Sequence, residues 1–175
     1  MNLKEEKSLI AYFSRAGNNY VSGQIVDLPV GNTEILARMI QEITGADILR
    51  IDPVNSYPED YNETTEVAQK ELNEDARPEI SNHVENMADY SVIFLGYPNW
   101  WGTMPAPVFT FLEEYDFSGK TIIPFCTHEG SGLGHSAKDI VKLCPKATLL
   151  DGLALHGARV SDAKENLMNW LSKLE

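Results

Sequence analysis

The chain has 175 residues, 43% of them apolar and 23% charged, ordinary proportions for one globular domain that buries roughly 70% of its unfolded surface. Its 26 acidic against 14 basic residues give a formal charge of −12, which argues against nucleic acid and anionic membrane surfaces as partners, since both select a basic face. No stretch approaches the ~20 apolar residues of a membrane span, and no signal-like run follows the charged start Met1–Lys7, so the expected location is cytoplasmic.

Leu9–Phe13 is a continuous apolar run, short enough for a strand buried on both faces. Ser14, Arg15, Ala16 and Gly17 break it with small and polar residues. From Asn32 onward, Ile35, Leu36, Met39, Ile40 and Ile43 fall on one helical stripe. Gly31 gives room to turn into that helix, and Asn32 or Thr33 can cap it. Strand, polar turn and helix start aim backbone N–H groups and a positive helix end at one point, which suits a phosphate or another anion. Between the two pieces, Asn19-Tyr20-Val21 and Gln24-Ile25-Val26 flank Ser22-Gly23, the pattern of a small hairpin ribbon. Such a ribbon would return Ser14 and Thr33 to each other. On this stretch alone, a plain turn residue and a helix cap remain the equal alternative for those two.

Further along, Ala46–Ile51 is a second apolar run, followed by a polar segment with a weak helical stripe through Thr64, Val67, Ala68 and Leu72. Ser91–Leu95 is the strongest buried-strand signal and closes on Gly96-Tyr97-Pro98. Pro105 and Pro107 suit the start of a helix carrying Val108, Phe109, Leu112 and Tyr115. Lys120–Cys126 reads as a fourth strand, and Ala137, Ile140, Val141 and Cys144 mark the next helix. Ala147–Leu155 contains a fifth strand with a bend expected at Asp151-Gly152, and Ala163, Leu167, Trp170, Leu171 and Leu174 form a terminal amphipathic helix with Ser161 as its cap. Cys126 and Cys144, the only cysteines, read as inert core thiols, and His83 and His135 show no ligand spacing for a metal.

Five strands alternating with helices imply a parallel sheet between helix layers, with ligands beyond the carboxyl ends of the strands. The segments after the strands carry the content. Tyr97, Trp100 and Trp101 put three aromatics into one loop, where flat side chains suit stacking on a planar ligand. One of the two tryptophans is expected to cap the core instead. Thr127-His128-Glu129-Gly130-Ser131-Gly132-Leu133-Gly134 lets backbone approach a ligand closely, although as a glycine pattern alone it equally describes a flexible surface loop.

With Gly96-Tyr97-Pro98-Asn99-Trp100-Trp101-Gly102-Thr103-Met104-Pro105 and Cys126-Thr127-His128-Glu129-Gly130-Ser131-Gly132 in order after the Ser14 turn, the chain resembles the flavodoxin-like, FMN-binding family over essentially its whole length. The resemblance implies a doubly wound three-layer α/β sandwich whose five-stranded parallel sheet has the order 2-1-3-4-5. It implies one domain over residues 1–175, with the hairpin-like insertion around 18–30. It also implies that Ser14, Arg15, Asn32 and Thr33 hold the FMN phosphate. Pro98, Asn99, Trp100, Trp101 and Gly102 would line the isoalloxazine, Thr127, Glu129, Gly130 and Gly132 would face its far edge, and Tyr57 would cover the ring from the other side. The insertion departs from simple flavodoxins, so Gly17-Asn18-Asn19 and Gly31-Asn32-Thr33 compete for the phosphate; the second is favoured because it opens the helix directly.

The function implied is redox chemistry carried by the flavin, in electron transport or as an oxidoreductase, with no side-chain acid or base essential. Protein redox partners steered by the acidic surface, or small acceptors such as quinones, would exchange the electrons. An NAD(P)H-dependent flavin or quinone reductase, a class that commonly works as a homodimer, is the alternative; a binding module of this fold without flavin is a remoter one. A phospho-receiver reading fails on Ser14-Arg15 and Gly96-Tyr97, where it needs acidic residues. A hydrolase using Ser14 with His128 or His156 lacks the G-x-S-x-G elbow.

Overall fold

A computed structural model describes residues 1–175. Along β1 (Ser8–Tyr12) and the adjoining Phe13, side chains alternate between two cores: Leu9, Ala11 and Phe13 enter one, Ile10 and Tyr12 the other, all buried. A strand covered on both faces belongs in a parallel sheet between helix layers. There follow an antiparallel ribbon, β2 (Gly17–Val21) and β3 (Gln24–Leu28), then α1 (Asn32–Thr44) and β4 (Asp47–Arg50). The chain continues through α2 (Tyr61–Asn73), β5 (Val92–Pro98), α3 (Ala106–Glu114), β6 (Thr121–His128) and α4 (Ser136–Leu143). It ends with β7 (Thr148–Leu149), β8 (Leu153–His156) and α5 (Lys164–Leu174).

The main sheet runs β4-β1-β5-β6, with both β7 and β8 on the outer edge of β6, and every pairing is parallel. Counting β7 and β8 as one interrupted strand, the order is the expected 2-1-3-4-5. The interruption has a cause in the neighbouring strand. Ile122 pairs with Leu149 and Phe125 with Leu153, so the gap lies opposite Pro124, which has no N–H to give the ladder. Gly152 passes this proline where a Cβ would sit 2.8 Å from its Cγ.

Leu36, Ala37 and Ile40 of α1 and Leu167, Trp170 and Leu171 of α5 fill one core; Val108, Phe111 and Leu112 of α3 and Ile140 of α4 fill the other, with α2 beside α3. Fully buried side chains such as Phe94 and Ile10 each contribute about 1.5–3 kcal/mol by leaving water. Two expected caps are corrected. Neither Asn32 nor Thr33 caps α1: Gly31 holds the cap position without a side-chain bond, and Ser14 Oγ, at the end of β1, accepts the Glu34 N–H at 3.1 Å. Ser161 does not cap α5, because it lies inside the 3₁₀ turn Gly157–Asp162 that runs straight into the helix. Val67 and Val141, expected on buried stripes, are exposed, since Thr64 and Ala68 in α2 and Ser136 and Ile140 in α4 take the inward line. No helix is long and apolar enough to cross a membrane.

Candidate functional site

The carboxyl ends of β1, β5 and β6 and the start of α1 surround one hollow of about 340 Å³. Its first corner is made by glycine and hydroxyls. A Cβ on Gly31 would lie 2.2 Å from Ser14 Oγ and 2.7 Å from the Arg15 carbonyl, so only glycine lets the two segments close up. Ser14 then holds the Glu34 N–H, and Thr33 Oγ1 shares a 2.8 Å hydrogen bond with Thr127 Oγ1 across the floor, with all three hydroxyl side chains buried. The N–H groups of Asn32 and Thr33, in the first turn, have no acceptor within the protein. Two main-chain donors and a positive helix end therefore converge here, a corner built for an anion.

The opposite wall is aromatic. Trp100 N–H donates to the Thr103 carbonyl at 2.9 Å and Thr103 N–H returns to Trp100 at 3.3 Å, closing a tight turn with Trp101 and Gly102 at φ 56° and 85°. A tryptophan in the left-handed region costs about 1–2 kcal/mol. The turn is braced nonetheless: Asn99 Oδ1 accepts the Gly102 N–H, Asn99 Nδ2 donates to the Gly132 carbonyl, and His135 N–H donates to the Gly102 carbonyl. Trp100 packs half-buried against the core, edge-on to Phe13. Trp101 is the exposed one. Its indole N–H donates to the Thr65 carbonyl of α2 at 2.9 Å, roofing an adjoining hollow of about 280 Å³ that reaches Thr64 and Ala68.

Of the residues assigned from sequence, Ser14, Arg15, Asn32 and Thr33 line the main hollow, together with Pro98, Asn99, Trp100, Trp101, Gly102, Thr127 and Glu129. Three do not. Gly130 and Gly132 shape the loop behind the wall, through the Gly130 N–H to His128 Nδ1 and the Gly132 carbonyl to Asn99. Tyr57 stands behind Trp100, its ring edge-on at 5.1 Å and its hydroxyl donating to Glu71 at 2.6 Å; burial, then that carboxylate, raises its pKa. The aromatic lining on that side is Tyr61 instead, with Tyr20 of the ribbon stacked on it at 5.9 Å. Burial raises the Tyr61 pKa, helped by Tyr20 and by Glu129. The signal for Tyr61 was Asp60, which caps α2 by accepting the Glu63 N–H and so starts the helix earlier than its apolar stripe suggests.

Of the two competing segments, Asn32 and Thr33 open α1 at the hollow, while Gly17-Asn18-Asn19 belongs to the ribbon, from which Asn19 also lines the hollow and Asn18 Oδ1 accepts the Tyr61 N–H at 2.8 Å. Arg15 donates to the Asn18, Pro58 and Glu59 carbonyls, which turns its charge to holding loops. Burial lowers its pKa, with Asp60 opposing. Beyond Thr127, the His128 pKa is lowered by burial and by the His156 ring 5.2 Å away, against the pull of Glu129. Cys126, beneath this loop, is fully buried, and that burial pushes its thiol up to about 12.

A family model described as flavodoxin matches residues 7–174. The chain belongs to the flavodoxin family. Among solved structures, it is similar to a protein designated a flavoprotein from Bacteroides eggerthii, with 30% identity, 90% of this chain and 95% of that one covered, and a TM-score of 0.72. A second such protein, from Bacteroides uniformis, has 26% identity, coverage of 93% and 98%, and a TM-score of 0.73. A Lactobacillus acidophilus flavoprotein solved in complex with FMN shares the fold at 18% identity, coverage of 90% and 97%, and a TM-score of 0.66. No curated protein matches the chain. For a flavodoxin-family chain, the hollow lies where the doubly wound fold places ligands, between the first strand and its neighbour across the switch in strand order.

Proposed function

We propose that the chain binds FMN in this hollow and works as a redox protein through it. The observation that carries the reading is the pairing of an anion corner with an aromatic wall in one hollow: free Asn32 and Thr33 N–H groups at one end, Trp100, Trp101 and Tyr61 at the other. The fit is also steric. Gly31 and Gly157 clear the corner, since a Cβ on Gly157 would meet Asn32 Nδ2 and Glu129 Oε1 at 2.7 Å each. An acidic protein can hold a phosphate dianion in this way because the donors are main-chain dipoles at a helix end and need no lysine. Bound FMN supplies one- or two-electron transfer. The residues hold its phosphate, stack on its ring and keep water from one face. Addition of FMN to the purified protein, followed by anaerobic reductive titration, tests this. One flavin per chain with quenched fluorescence is expected; a chain that stays colourless and leaves FMN fluorescence unchanged refutes it.

The neighbouring surface bears on the exchange partner. A wider hollow of about 950 Å³ opens between the ribbon and the loop after β4, walled by Asp27, Asp52, Glu59 and Asp60 against Arg15 and Arg50. Both arginines are already bonded, Arg50 to Asp52, Glu34 and the Ser14 carbonyl. Such a wall repels a phosphate-rich pyridine nucleotide, which favours redox partner proteins or small quinone-like acceptors over the NAD(P)H-dependent reductase. Slow oxidation of NADH and NADPH with a quinone present, beside fast reoxidation of the dithionite-reduced holoprotein, is the expected pattern.

A further inference from the structure

The ribbon β2–β3 pairs with no strand of the main sheet, and its residues are exposed or half-exposed. Its position is fixed all the same. At the base, Arg15 reaches the Pro58 and Glu59 carbonyls, and midway Tyr20 lies on Tyr61. At the tip, Ser22 and Gly23 adopt φ 52° and 84°, a tight turn whose outward Ser22 N–H donates to Glu129 Oε2 at 3.1 Å. That contact joins segments 107 residues apart. Glu129 also stands over Gly157 and the Asn32 side chain, so the ribbon tip meets the β6 loop beside the start of α1. The ribbon thus crosses the anion end of the hollow from the α2 side to the β6 side.

We propose that this ribbon is a strap, latched by Glu129, which slows the exchange of bound flavin mononucleotide and rejects a flavin extended beyond its first phosphate. The inference rests on the FMN reading above. A monophosphate ends inside the hollow. A dinucleotide would have to leave between Ser22 and the start of α1, through the latch and past the Glu129 carboxylate, which faces the second phosphate with like charge. At its tip the strap is held by one charge-assisted hydrogen bond, whose acceptor Glu129 Oε2 also lies 3.6 Å from His156 Nδ1, so loss of that contact frees the tip while Tyr20 and Arg15 still hold the rest.

The test compares the wild type, Glu129→Ala and Glu129→Gln as full chains. Stopped-flow displacement gives the FMN release rate, equilibrium titration gives FMN and FAD affinities, and hydrogen exchange reports the Ser22 amide without flavin. Glu129→Ala is expected to expose the Ser22 amide, release FMN about tenfold faster and lower the FMN-over-FAD preference about tenfold. Glu129→Gln keeps an acceptor oxygen without the charge and is expected to restore slow release. The proposal is overturned if Ser22 exchange is unchanged in Glu129→Ala, or if it rises while release and preference stay at wild-type values. A wild type that binds neither flavin overturns the FMN reading instead, and the Ser22 exchange contrast keeps the two failures apart.

Discussion

Gly31→Ala is the sharpest test of the anion corner. Gly31 has φ −64° and ψ 149°, a backbone that alanine adopts freely, so the whole effect of the substitution is lack of space. The new methyl would sit 2.2 Å from Ser14 Oγ and 2.7 Å from the Arg15 carbonyl. The hydroxyl must swing away, which removes the cap on the Glu34 N–H and costs about 1 kcal/mol. The Arg15 backbone must also shift, although its carbonyl accepts Asn19 Nδ2 at 2.9 Å; overpacking of that kind costs about 1–3 kcal/mol. Together these predict a loss of about 2–4 kcal/mol, or a Tm lower by roughly 5–15 °C at this chain length. Urea unfolding followed by tryptophan fluorescence measures it, with Ser14→Ala as the control that removes the cap alone. FMN affinity should fall more than tenfold in Gly31→Ala as the corner opens. A Gly31→Ala protein within about 0.5 kcal/mol of wild type would refute the reasoning, because it would mean that the close approach of Ser14 to Gly31 is not there.

Trp101→Asn places a residue suited to the left-handed turn at φ 56°, so thermal melts should show unchanged or slightly higher stability, by up to about 1 kcal/mol, while FMN titration shows affinity about tenfold weaker for want of the indole. Cys126 and Cys144, with thiols raised by burial to about 12 and about 11, should resist a thiol reagent at pH 8 in the native protein and both react once it is unfolded in urea. The His128 pKa is lowered on folding, so the folded state disfavours its charged form and stability is lost as pH falls below the ordinary histidine range; His128→Gln should flatten that loss between about pH 7 and 5 in denaturant midpoints.

The strands were legible because each is a short apolar run between polar breaks, and the order in which loops reach one sheet edge follows from alternation with helices. What the sequence does not display has a different origin. Asn32 and Thr33 satisfy every local rule for a cap, yet the cap comes from Ser14, 20 residues before the Glu34 amide it holds, because the sheet brings the end of β1 onto the start of α1. The place of Tyr57 after the second strand suggests a cover for the ring, whereas the tyrosine that lines the hollow is Tyr61, which Asp60 puts at the start of α2 ahead of the apolar stripe. The break of the fifth strand at Asp151-Gly152 is legible in its own residues, but its cause, Pro124, lies on the neighbouring strand. Local periodicity carries none of these contacts, since each depends on which segment lies alongside.

Two departures from what stability alone would select fall on the same hollow. Trp101 holds a conformation that asparagine or glycine would hold at lower free energy, and it does so with its ring exposed, where it adds little to the core. Opposite it, the Asn32 and Thr33 N–H groups are left without protein acceptors at the one helix start whose flanking turn tolerates no side chain at Gly31. Either feature alone could be an accident of packing. Local departures of this kind gather at functional sites, and here both line one hollow, with aromatic side chains on one wall and main-chain donors on another, the pairing on which the FMN proposal rests.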